Sequence, residues 1–418
     1  MIGTEIPKKA KWRGVRVGYV IMEPRRSVLK KVGAAGVAIT TGLAGCSGDG
    51  GSTDGGDDTA TDTDSAGTTT GDTTDSGGSS DDTVTAAYVY NESISDIGWT
   101  HTHEVAREAL VEELDWYETQ VVADVAPSEA ESTFTTLAEE GVDIIEAATY
   151  DYGTPAASVV QNYDDLYIET PRMVPVEQYE GDQLGYYLGQ LEDACYVTGV
   201  AAGLLTETNV LGYVMPFSIA STVTELNALM QGVKSVNEDA VMQVRFTDTW
   251  YDPPAERDAA EALVEQDADV LGYRVSTPTT MEVAAENDIW SYGYADSFVG
   301  TDIEYDKYVT SRMWDWTPFY RQTAEAAREG NVGSLDRFNV DDFRGNYYGI
   351  EEGGVTVDEY GSGVPSDVAD AMDEAYSQFE NGELTGSDVF AGTQYEDMSA
   401  YERVSTASEY VDGIEADN

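Results

Sequence analysis

Val84-Thr85-Ala86-Ala87-Tyr88-Val89-Tyr90 is an unbroken run of β-branched, aromatic and small residues, and from residue 100 it gives way to a stretch in which Val105, Ala109, Leu110 and Leu114 recur at helical spacing. A short apolar run followed by a 3.6-residue period reads as strand then helix. The alternation continues along the chain. Further strands are expected at 120–125, 142–147, 166–169, 210–214, 241–246, 270–273 and 289–294. Helices are expected at 129–139, 154–161, 183–205, 220–235, 255–265 and 279–286. Strands separated by single helices pair in parallel through right-handed crossovers, because a tight turn cannot join parallel neighbours. The fold class is therefore α/β. Two such sets, before and after the long helix at 183–205, predict two doubly wound, Rossmann-like lobes, with the cleft beyond their strand ends as the candidate site.

Charge narrows the partners. The 418 residues carry a net charge of −57, and only 13 basic side chains stand against 77 acidic ones after residue 45. Nucleic acid is bound by cations that neutralise phosphates, so no nucleic-acid partner is expected, and an anionic membrane surface repels the chain for the same reason. The balance resembles the surface of a halophilic protein, in which dense carboxylates hold water and salt screens their repulsion. Disorder suits residues 47–83, which hold ten Asp and no basic residue. The remaining 335 residues are rich enough in apolar and aromatic side chains to build large cores.

The basic residues gather at the start. Arg25-Arg26-Ser27-Val28-Leu29, then the uncharged run 32–45, then Cys46 follow the order of an export signal of the twin-arginine type, and 14 uncharged residues are too few to span a bilayer. Leu43-Ala44-Gly45-Cys46 resembles a lipobox, which makes Cys46 the lipid-bearing first residue of a mature protein held at the outer face of the cytoplasmic membrane. Residues 46–83 then form an acidic Gly/Ser/Thr/Asp tether. The other cysteine, Cys195, reads as a small buried apolar residue, and no disulfide is expected.

Aromatic residues cluster after successive predicted strands: Trp99, Tyr150 and Tyr152, Phe217, Trp250, Tyr294 and Trp314. Together they line one rim and suit a planar heterocycle, since ring stacking contributes about 0.5–1.5 kcal/mol per pair beyond burial. Asp96 and Asp296 lie among them and could accept hydrogen bonds from a ligand's N–H groups. His101 and His103 are the two histidines of the chain, but a spacing of two residues on a helix points them apart and no third ligand accompanies them. No metal and no cofactor are expected. The chain has no Walker-type loop, Gly-x-Ser-x-Gly elbow, zinc signature or Cys/His pair, so an enzyme is the contrasting class and not the favoured one.

Five segments carry a family resemblance: residues 96–104, residues 211–217, residues 232–237, Trp250-Tyr251-Asp252-Pro253, and Trp314-Asp315-Trp316-Thr317-Pro318. They resemble the basic membrane protein family, the substrate-binding lipoproteins of ABC importers that include purine nucleoside receptors. The resemblance implies a type I periplasmic-binding fold with a hinge and three crossings between lobes, a purine nucleoside or purine base as ligand, and ABC permease subunits as partners. A ligand-sensing surface lipoprotein is the alternative role. On this reading lobe 1 spans 84–178 and is completed by about 306–345, and lobe 2 spans 179–305 and is completed by about 346–413. The ligand-binding residues implied are Asp96, Trp99, His101, Tyr150, Tyr152, Phe217, Trp250, Tyr294, Asp296 and Trp314. Two positions depart from the nucleoside receptors. Ala295 stands where they hold an Asp that binds ribose, with Asp296 one residue later, and Trp314 stands where they have a Lys. These departures place a free base or another flat heterocycle beside nucleosides.

Overall fold

A computed structural model describes residues 83–172, 175–176, 179–338 and 347–416. The export signal, Cys46 and the tether as far as residue 82 lie outside them. The chain begins with β1 (Val84–Val89), α1 (Trp99–Glu113), β2 (Tyr117–Val122), α2 (Ala130–Glu140), β3 (Ile144–Ala147), α3 (Gly153–Val160), β4 (Tyr167–Pro171) and β5 (Leu184–Gly189). It continues through α4 (Leu191–Leu205), β6 (Val210–Met215), α5 (Ala220–Val236), β7 (Val241–Phe246), α6 (Pro253–Val264), β8 (Val270–Tyr273), α7 (Thr279–Glu286), β9 (Trp290–Tyr294) and β10 (Tyr308–Trp314). Last come α8 (Thr317–Glu329), β11 (Tyr347–Tyr348), β12 (Val355–Val357), α9 (Ser366–Glu380), α10 (Gly386–Val389), α11 (Ala400–Thr406) and β13 (Ile414–Ala416).

These strands form two sheets within one compact unit. The first runs β11-β5-β4-β3-β1-β2 and the second β12-β10-β9-β8-β6-β7-β13, with every pairing parallel except β10 with β12. Each lobe thus repeats one doubly wound order. The chain reverses its winding direction between β1 and β3 in the first sheet and between β6 and β8 in the second. A crevice opens outside the strand ends at such a switch point, because the following helices depart to opposite faces. The loops after β1, β3, β6 and β8 therefore frame the candidate site.

The chain passes between the lobes three times: at Gln190 between β5 and α4, at Asp315 and Trp316 between β10 and α8, and at 349–354 between β11 and β12. In the second lobe α4 lies against α5 at backbone distance. A Cβ on Gly199 would come within 2.1 Å of the Leu229 carbonyl, and one on Gly232 within 2.1 Å of the Tyr196 carbonyl. No helix of the described residues is long and apolar enough to cross a membrane.

The α/β class, the parallel sheets and most elements agree with expectation to within a few residues. The expected helix at 183–205 is the main correction, since its first part is β5. Leu184-Gly185-Tyr186-Tyr187-Leu188-Gly189 is buried almost throughout, so it shows no alternation to mark it as a strand. Its glycines have a purpose, because a Cβ at Gly185 would meet the Phe338 ring at 2.7 Å and one at Gly189 the Trp314 ring at 2.7 Å. The expected division at 178/179 consequently falls inside the first sheet. The return near 306 also comes later than expected, because β10 belongs to the second sheet and the chain re-enters the first lobe only with α8.

Candidate ligand-binding site

The loop after β1 ends at Gly98, whose φ of 96° and ψ of −174° suit a residue without a side chain. That turn starts α1 at Trp99, whose indole N–H donates to the Ala148 carbonyl just beyond β3 at 2.7 Å. One turn along α1, His103 is fully buried and stacks on Trp316, with centroids 4.5 Å apart and planes 5° apart. Trp314 stacks on Trp316 as well, at 5.1 Å and 14°. Trp99 meets His103, Trp316 and Trp314 edge-on, at 4.8, 5.2 and 6.0 Å. Four rings from α1, the end of β10 and a crossing strand thus close into one aromatic wall. Burial holds His103 well below its ordinary pKa and so neutral, with Nδ1 on the Tyr320 hydroxyl and Nε2 without a protein partner among the described residues.

The second lobe offers a charged group to this wall. Arg274 follows β8 at the switch point, and its Nε–H donates to Glu225 of α5 at 2.6 Å. The guanidinium lies 4.2 Å from the centroid of the Tyr294 ring and 5.7 Å from those of Trp250 and Trp314. Trp314 donates its indole N–H to the Tyr294 hydroxyl at 3.0 Å. A planar cation fixed by a carboxylate and faced by three aromatic rings is suited to stacking and to donating hydrogen bonds to a ligand's acceptors. Phe217, after β6, packs edge-on against Trp250 at 5.4 Å.

Asp296, just past β9, reaches across to the first lobe. Its Oδ2 accepts the Gly98 N–H at 2.6 Å and its Oδ1 pairs with His101 Nδ1 at 2.8 Å. The hydrogen bond to Asp296 raises the His101 pKa above its ordinary value, against a smaller opposing effect of burial.

The ten expected residues divide accordingly. Trp99 and Trp314 come together in the wall with Tyr294 beside it, against Trp314 and Arg274; Phe217 and Trp250 lie on its second-lobe rim, and His101 and Asp296 at the lobe-to-lobe contact. Asp96 is exposed on the approach to α1, close enough to His101 to act on its charge. Tyr150 is 52% exposed, with the Arg172 guanidinium 4.2 Å from its ring centroid. Tyr152 lies elsewhere. Its ring turns under the sheet against Phe134, fully buried, and its hydroxyl donates to the Val125 carbonyl. Tyr150 and Tyr152 stand on different sides of the 3-10 turn Tyr150–Tyr152, which has three residues per turn, and only Tyr152 is buried. Tyr152→Ala is accordingly expected to cost about 3–5 kcal/mol in urea unfolding while ligand affinity, read by calorimetry, changes less than about twofold.

Arg274, Glu225, His103 and Trp316 were not singled out from sequence as site residues. The available signal for Arg274 was its rarity, one of 13 basic residues after residue 45, set directly behind the apolar strand Val270-Leu271-Gly272-Tyr273. Cys195 is buried, as expected of a small apolar residue, and burial pushes its thiol pKa up to about 12. No group of three or more His, Cys, Asp and Glu among the described residues could hold a metal ion.

Comparison with known proteins places this geometry. Residues 83–384 match the family of PnrA-like ABC transporter substrate-binding proteins. The chain belongs to that family. It is 37% identical over 405 residues to a protein of Haloferax volcanii assigned by name as an ABC transporter glucose-binding protein, covering 94% of this chain and 97% of that one. It is 27% identical over 307 residues to a purine-binding protein of Brucella abortus, covering 73% and 83%. Its fold resembles the solved structure of an ABC transporter solute-binding protein from Conexibacter woesei, with a TM-score of 0.61, 20% identity, and coverage of 73% of this chain and 99% of that one. As a PnrA-like substrate-binding protein the chain is not an enzyme. It binds a small molecule and serves an ABC permease, and the lobed architecture at the strand ends is the fold this work requires.

Proposed function

We propose that this substrate-binding protein captures a purine base or purine nucleoside between its lobes and hands it to the permease, while a lipid on Cys46 holds it outside the cytoplasmic membrane after twin-arginine export. The observation that carries the ligand class is the cluster of Trp99, His103, Trp314 and Trp316, of which Trp314 lies 5.7 Å from the Arg274 guanidinium. A fused aromatic ring gains from stacking on such surfaces, and its ring nitrogens and carbonyl oxygens are acceptors matched to a guanidinium donor. The purine-binding relative from Brucella abortus supports the same reading.

A hexose is the second reading, favoured by the relative from Haloferax volcanii named for glucose. A pyranose can lay its C–H face on an indole, but each hydroxyl then requires a polar partner, and two carboxylates near the wall, Glu225 and Asp296, already bind Arg274, His101 and the Gly98 N–H. Calorimetry in molar KCl with hypoxanthine, guanosine, adenosine and glucose separates the two. At least one purine compound is expected to bind at least about tenfold more tightly than glucose. Saturable glucose binding with no heat from any purine would overturn the proposal, and Trp250→Ala should weaken whichever ligand binds.

A further inference from the structure

We propose that Asp296 is a clasp between the lobes, holding the amino end of α1 and setting the balance between closed and open forms in a pH-dependent way. The proposal concerns lobe closure and stands whichever ligand occupies the site.

Helix α1 has no side-chain cap of its own and no acidic residue in its first turn. The exposed N–H groups and positive dipole end of a helix are normally answered by a nearby side chain. Here the answer comes from 198 residues away, in the other lobe, as the Asp296 carboxylate on the Gly98 N–H, with His101 as its second donor. Asp296 is 7% exposed, so both bonds form largely away from competing water.

The backbone on each side is shaped for this contact. Ala295 has φ of 70°, a left-handed conformation that residues bearing a side chain rarely adopt. It is fixed there by its N–H on the Arg312 carbonyl at 2.8 Å. Gly98 occupies a region of φ and ψ that side chains avoid. Strain of this kind persists where the surrounding structure holds it, and on both sides it aims one group at the other lobe.

The pH dependence follows from the surroundings of His101. It faces Asp296 across the gap, Asp96 from the preceding loop and Glu108 from α1 itself, all acidic, while Tyr273 of β8 lies near Asp296. With the His101–Asp296 bond made, as here, the His101 pKa is raised, and breaking that bond returns it towards its ordinary value. A proton on His101 therefore favours closure. The gain is complete below the ordinary histidine range, near 6.5, and is lost as pH rises through the raised value. The Gly98 N–H bond to Asp296 does not involve the His101 proton.

Pulsed electron spin resonance tests this in the ligand-free chain. Spin labels are placed at Glu131→Cys on α2 and Gln266→Cys beyond α6, with Cys46→Ser removing the lipidation site and the buried Cys195 left in place. In molar KCl the parent is expected to show a short interlobe distance at pH 6 and a longer population that grows about threefold or more by pH 9. Asp296→Asn should show the longer population already at pH 6, and His101→Gln should remove the pH response, with near-UV circular dichroism confirming that each is folded. A parental distance distribution in Asp296→Asn, or an unaltered pH response in His101→Gln, would overturn the clasp.

Discussion

Arg274→Met is expected to weaken ligand capture by roughly 100-fold and to lower the stability of the second lobe together. Arg274 and Glu225 expose 12% and 5% of their side chains, so removing the cation leaves a carboxylate buried without its partner. Breaking such a pair costs about 3–5 kcal/mol, whereas replacing both members with apolar groups of similar size is often neutral. The double variant Arg274→Met with Glu225→Leu should therefore recover most of the urea midpoint in molar KCl. Ligand binding should stay weaker by roughly 100-fold, since hydrogen bonds from a charged donor are worth about 1.5–3 kcal/mol. Recovery of both stability and affinity in the double variant would show that Arg274 only neutralises Glu225 and does not touch the ligand.

Lowering salt is the second large effect. The net charge of −57 is spread over few cations, and Arg257 alone lies within 4 Å of carboxylates of Glu261, Glu282 and Glu286. Surface pairs of this kind are individually weak, so they cannot offset the summed repulsion. Screening can: the Debye length is about 10 Å at 0.1 M salt and about 3 Å at 1 M. The Tm, followed by circular dichroism, is expected to rise by at least roughly 10 °C between 0.1 M and 3 M KCl. Sucrose, which strengthens burial without screening charge, should not reproduce the rise. A Tm that is flat in KCl would mean that the carboxylates are spaced widely enough to tolerate one another.

Much of the architecture was legible because local burial leaves a periodic trace. Strands β7 and β8 and helix α7 fall where the spacing of apolar residues put them, residues 241–246, 270–273 and 279–286. β5 was not legible, since a strand buried on both faces has no polar face to mark its period, and its tyrosines continued into the apolar pattern of α4. The rim of aromatic residues was legible as a group, because loops after parallel strands share one end of a sheet. Individual rings were not. Tyr150 and Tyr152 sit two positions apart in one turn, yet one is half exposed and the other lies in the core beside Phe134.

The amino-acid order alone determined the acidic character, the alternation of strand and helix, and hence parallel sheets with a ligand crevice at their strand ends, because these follow from composition and from contacts close in sequence. Tertiary structure alone decided which charges meet: Arg274 with Glu225 across 49 residues and Asp296 with Gly98 across 198. Those pairings depend on strand order within each sheet and on how the crossings bring the sheets together. In a chain with 79 acidic residues, no pattern along the sequence distinguishes the few carboxylates that are buried from the many that face water.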